Sequence, residues 1–261
     1  MSQASQSPRV SIAGMPPAAR TLMALLGGGL LAASLSACES TQEESAYIGK
    51  HAKAVAAAQN LHVGAIDRSV RVSDVTLLRS SEKDAVIVHL TNTSGAAKGG
   101  APLLVEVHDA AGRAIYTNST GGLEPALQRL PSLPAHASLW WVDDQVTLSG
   151  KPAHVGVRVG SSGKASVSAA GAGTSSISIS GLHVSQQGAL EAASGVLANR
   201  SAKPLGKVAV FAVGLSGGRV RAAGRAIVSS LAAHASGIPF QIFLVGNPAG
   251  TSMQATAAPV A

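Results

Sequence analysis

The chain has 261 residues, of which 13% are charged and 3% aromatic, with 29 glycines and a single cysteine. One cysteine excludes a disulfide framework, and the low charge argues against disorder of the highly charged kind. The formal charge of +7 is scattered, there is no basic run, and aromatic side chains for base stacking are scarce, so no nucleic-acid partner is expected.

The first segment has a polar region with Arg9 and Arg20, an apolar run from Leu22 to Leu35, then Ser36 and Ala37 before Cys38. That is the layout of a secretory signal peptide. The run of about 14 residues falls short of the ~20 a helix needs to cross a bilayer. Leu35-Ser36-Ala37-Cys38 resembles the lipobox of bacterial lipoproteins at all four positions. The resemblance implies cleavage before Cys38, a diacylglyceryl group on its sulfur, and further acylation such as palmitate on the new N-terminus. Two or more chains give durable attachment to a membrane, which one chain does not. The alternative is an ordinary signal peptide cleaved after Ala37, leaving Cys38 as a free thiol. Glu39 stands where the family places Asp for inner-membrane retention. Outer-membrane delivery is therefore implied in a two-membrane host, and the outer face of the plasma membrane otherwise.

Residues 38–60 read as a tether. Thr41-Gln42-Glu43-Glu44 has the spacing of a capping box, and the Ala-rich stretch to Gln59 favours a short helix with little to bury. From Leu61 the hydrophobic period changes to two. Strands are expected at Val70 to Leu78, Val86 to Leu90, Leu103 to His108, Ala114 to Thr117, Ala137 to Val146 and His154 to Val159. Short strands with regular turns predict an immunoglobulin-like β-sandwich over residues 61–159. Residues 160–176, nearly all Gly, Ser and Ala, read as a linker.

The chain beyond the linker repeats the first unit. Asn92-Thr93-Ser94 is answered by Asn199-Arg200-Ser201, Gly112-Arg113 by Gly218-Arg219, Ala135-His136-Ala137-Ser138 by Ala233-His234-Ala235-Ser236, and Gly150-Lys151-Pro152-Ala153 by Gly246-Asn247-Pro248-Ala249. The same order in both copies predicts an all-β chain of two tandem sandwiches, the second over 177–256 with a tail at 257–261, and an insertion near Gly121 to Ser132 in the first. Val105-Glu106-Val107-His108-Asp109-Ala110-Ala111-Gly112, with the Asn-x-Ser turn before it, resembles the small immunoglobulin-like modules of bacterial envelope proteins, especially the FxLYD type. The resemblance implies non-enzymatic spacer or binding modules.

No catalytic constellation emerges. Asp143 and Asp144 diverge on a strand and make a poor acid/base dyad. If the strands carrying His89 and His108 pair as a hairpin, His89, Glu106 and His108 meet on one face, a set able to hold zinc. The ordinary reading is a solvated face. The repeated His136 and His234 read as turn residues with the imidazole bonded to backbone, or as a pH-responsive or ligand pair. Alignment on the Ala-His-Ala-Ser marks places Trp140 over Ile238, in the core. Trp141 is then outward, either covered by the insertion or exposed to contact a sugar or protein ligand. The expectation is a non-catalytic, cofactor-free envelope lipoprotein, anchored through Cys38, whose modules are a protein-interaction or spacer unit. The alternatives are a carbohydrate or cell-wall binder using Trp141 and, third, an exported metal-binding protein.

Overall fold

The computed structural model describes residues 61–161 and 176–260. Cys38, its signal segment, the tether and nearly all of the linker lie outside the described residues. In the first half the strands are β1 (Val70–Arg79), β2 (Asp84–Asn92), β3 (Leu103–His108), β4 (Ala114–Thr117), β5 (Ser138–Val146) and β6 (His154–Val159). They form two antiparallel sheets, ordered β1-β2-β5 and β4-β3-β6. The second half supplies β7 (Ile177–Gln187), β8 (Leu190–Asn199), β9 (Val208–Ser216), β10 (Arg219–Val228), β11 (Ile238–Phe243), β12 (Val245–Gly246) and β13 (Ser252–Pro259). Its sheets, β11-β8-β7 and β12-β10-β9-β13, repeat the topology of the first half with β12 added at an edge. The protein is all-β, two immunoglobulin-like sandwiches in tandem.

The repeated sequence marks are structural devices. Asn92 Nδ2 donates to the carbonyls of Ala96, Leu133 and Pro134 at 2.8, 3.1 and 2.9 Å, while its Oδ1 accepts from Ser94 N and Oγ. Asn199 does the same with Lys203, Leu231, Ala232 and Ser201. Each Asn, about 99% buried, thus satisfies its own amide while fastening two loops. His136 and His234 sit at φ 57° and 54° in the turn before the next strand, a left-handed region where His is among the tolerated residues. Their backbone N–H groups donate to Ser94 O and Ser201 O, and both residues are exposed. The expected backbone bond is made by the main-chain nitrogen, not the imidazole. A third device has no obvious sequence mark: β1 and β7 carry a bulge at the same place, with Asp74 at φ 47° in one and Gly181 at φ 64° in the other.

The sandwiches are stacked on each other. In β2, Ala85, Val86, Ile87 and Val88 are all fully buried, so both faces of its sheet are covered. Val88 faces the interior of the first sandwich with Trp141, its cross-strand partner, whereas Ile87 and its partner Val142 face the other way. Strand β9 is likewise buried throughout from Val208 to Val213. Val208, Val210 and Ala212 belong to the second core, and Ala209, Phe211 and Val213 join the cluster that contains Ile87 and Val142. The result is four layers, in the order β4-β3-β6, β1-β2-β5, β12-β10-β9-β13 and β11-β8-β7. Strands buried on both faces read as continuous apolar runs, and this is why β2 and β9 lose the alternation of the outer strands. The insertion of the first copy folds into a 3-10 turn at Pro125–Gln128 and fills its core with Leu127 and Leu130. Asn118 pins it, donating to Leu103 O and Leu127 O and accepting from Val105 N.

Candidate functional site

Of the residues singled out from sequence, Cys38 lies outside the described residues. Trp141 is corrected: it is fully buried, the largest such side chain, and offers no surface to a sugar or a partner. The half-buried indole is Trp140, packed against His89 with ring centroids 4.5 Å apart and planes tilted by 40°. The cause is a single inserted residue. Strand register pairs Leu139 with Leu90 and Ile238 with Leu197, so Leu139 and not Trp140 corresponds to Ile238. Gly237, at φ 70°, is the extra residue after the second Ala-His-Ala-Ser. A shift of one residue exchanges the two faces of a strand. Trp141 therefore corresponds to Phe240, whose ring fills the space over Gly195; a Cβ on Gly195 would come within 2.9 Å of it.

The trio His89, Glu106 and His108 is not assembled, because β2 and β3 lie in different sheets. His89 faces the neighbouring sandwich, its Nδ1 3.2 Å from Ser73 Oγ and 3.8 Å from Asp74 Oδ2. Among the described residues no group of three metal-ligating side chains is gathered.

Asp143 and Asp144 do diverge, and each finds a separate partner. Asp143, fully buried, accepts a hydrogen bond from the Tyr116 hydroxyl of the opposite sheet and another from the Gln145 N–H on its other oxygen. Burial pushes its carboxyl above the ordinary range, against the pull of the Tyr116 and Gln145 hydrogen bonds. Burial and then the Asp143 charge push the Tyr116 phenol far above its usual value. Asp144 points out of the first sandwich and meets Arg225 of β10, Nη2 3.3 Å from Oδ1. The Arg225 side chain is only 6% exposed, and its Nη1 is buried without a hydrogen-bond partner. Lys207 and Glu124 form a second, solvent-exposed link between the sandwiches at 3.4 Å.

The sequence reasoning missed this junction. Its signal was present in the two unbroken apolar runs, Ala85-Val86-Ile87-Val88 and Val208-Ala209-Val210-Phe211-Ala212-Val213, which no singly covered sheet requires. A polar cleft of about 310 Å³ opens at one end of the stack, lined by Ser80, Glu82, Lys83, Leu190, Glu191 and Gly246. No helix among the described residues is long and apolar enough to cross a membrane.

No family model matches the chain, and no curated protein matches it. Among solved structures it is similar to the crystal structure of red sea bream transglutaminase, at 12% identity and a TM-score of 0.18 over 85% of this chain. The chain spans about a third of that structure's length, 34%. A likeness at that score carries no argument about fold or activity.

Proposed function

We propose that the protein is a non-catalytic lipoprotein of the cell envelope, anchored by acyl chains on Cys38, whose two sandwiches form one stiff interaction unit held near the membrane surface. The observation that carries this is Leu35-Ser36-Ala37-Cys38 closing an apolar run of export-signal length, with the only cysteine of the chain in the acceptor position. The stacked architecture supports the second part. An apolar junction built from Ile87, Val142, Phe211 and Val213 resists bending between modules, as suits a unit that presents fixed surfaces to an envelope protein or a wall polymer. The modules are of the envelope type that FxLYD domains exemplify. The membrane is the outer one in a two-membrane host and the outer face of the plasma membrane otherwise.

The reading is tested by metabolic labelling with palmitate and fractionation of the wild type and Cys38→Ala. Label and membrane attachment through a high-salt wash are expected in the wild type alone. Retention of Cys38→Ala in washed membranes overturns the anchor. Crosslinking in intact envelopes then asks for a partner, and capture of a defined envelope protein or of wall material is the supporting result. A chain that crosslinks to nothing in its own envelope counts against an interaction role.

A further inference from the structure

The outward face of the β4-β3-β6 sheet carries a pair of histidines that the sequence pattern did not bring together. His108 on β3 and His154 on β6 occupy directly opposed positions, within a ladder that runs from Leu103–Val159 to His108–His154. Side chains at opposed positions of an antiparallel pair stand on the same face with Cβ atoms about 5 Å apart. The two imidazoles face each other with ring centroids 6.2 Å apart and planes tilted by 30°. A cation held by one nitrogen of each ring, at about 2.1 Å from both, places the centroids about 5–6 Å apart. A small rotation of the exposed His154 closes the remaining gap.

The surroundings leave room for such an ion. His108 Nδ1 is closed off from solvent and has no hydrogen-bond partner, so Nε2 is the nitrogen this ring offers outward. His154 Nε2 lies over Gly156, where even a Cβ would be 4.0 Å away. The missing side chain opens space for an ion and its water. Glu106, opposite Gly156, is joined to Arg158 at 3.0 Å, so neither brings an unpaired charge to the site. The fold does not demand histidine here. The corresponding row of the second copy pairs Leu215 with Ser252.

We propose that His108 and His154 form an open two-imidazole site for a late first-row divalent cation, with solvent completing its coordination. Copper(II) is the tightest-binding member of that series and zinc or nickel the weaker ones. This proposal does not rest on the acylation of Cys38.

The test is equilibrium dialysis of the full chain in detergent against copper(II) or nickel(II) alone, followed by metal analysis and, for copper, electron paramagnetic resonance. About one copper ion per chain is expected, with nitrogen hyperfine structure from two imidazoles. Binding should be lost in both His154→Gln and His108→Gln and kept in His183→Gln, which alters a distant exposed histidine. His154 is exposed, so its substitution leaves the fold intact, and a circular-dichroism melt checks this. Absence of stoichiometric binding by the wild type, survival of binding in either variant, or equal loss in His183→Gln overturns the proposal.

Discussion

Asp143 and Asp144 are adjacent in β5, yet their carboxylates serve different sandwiches: the first accepts from Tyr116 within its own core, the second meets Arg225 of the other module. The alternation of a strand is enough to separate them. One side of β5 therefore builds a module and the other joins two.

The junction pair is expected to behave as a buried charge that needs its partner. Asp144→Ala leaves the Arg225 guanidinium 94% covered and without its counter-ion, at a cost of about 3 kcal/mol. Arg225→Met on top of that substitution removes the stranded charge, and with it the unpartnered Nη1, while keeping most of the apolar stem. The double variant should thus be more stable than Asp144→Ala alone. Urea midpoints of the two variants check this, and equal midpoints would mean that the ion pair contributes nothing at the junction.

Two carboxylates, Asp143 fully buried and Asp67 partly so, should give stability contributions of opposite sign with pH. Asp143 is held above the ordinary value of 3.8, chiefly by burial. The folded state therefore binds its proton more tightly than the unfolded chain does. Its contribution is complete below 3.8 and is lost as pH rises through its folded value. Burial also pushes Asp67 upward, but hydrogen bonds from Ser69 and Lys98 outweigh it and hold the group below 3.8. Its contribution is present above 3.8 and is lost as pH falls. Asp143→Asn should accordingly gain on the wild type as pH rises from the acid end, while Asp67→Asn should fall behind it over the same range. Chemical denaturation at a series of pH values separates the two. A pH-independent difference for Asp143→Asn would show that this carboxyl titrates alike in both states.

The tryptophan pair shows how far the fold was legible in the sequence and where reading stopped. Period-two runs and four ordered repeat marks were sufficient for strands, sandwich and duplication, because those depend on patterns several residues long. The facing of a single side chain depends on register, and one glycine, Gly237, shifts register without disturbing any mark before it. The same limit applied to His89 and His108, which are near in sequence but belong to separate sheets, while His154, far along the chain, completes the pair with His108. The corrected facing predicts that Trp141→Ala costs about 4 kcal/mol or unfolds the chain, whereas Trp140→Ala, at the rim of the junction beside His89, costs about 1–2. Thermal melts rank them, and a larger loss at Trp140 would restore the alignment without the inserted residue.

The two outermost sheet faces of this pair differ from the junction faces, and the consequence can be tested by removing the difference. Each module has two outward sheet faces, and the junction joins one kind to the other: the β1-β2-β5 face of the first copy to the β9-β10 face of the second. A head-to-tail contact of this sort does not close on itself, so free faces of the same character would let further copies add without limit. The free faces carry polar residues in the rows where the junction is apolar, although Phe243 stands exposed beside one of them. On the outer side of β11-β8-β7, Ser194 pairs with Gln241 in the row where the junction has Ile87 and Val142. At the other end, Glu106 and Arg158 form an ion pair on the face that corresponds to the one where β9 presents Phe211 and Val213 to the junction. Polar outer faces are what terminal repeats use to stop a stack. Ser194→Ile with Gln241→Val should therefore expose an apolar patch able to bury itself only against another chain. The double variant is expected to remain folded and to self-associate with rising concentration in sedimentation velocity, where the wild type stays at its original size. A variant that sediments like the wild type throughout would mean that shape, and not polarity, ends the stack.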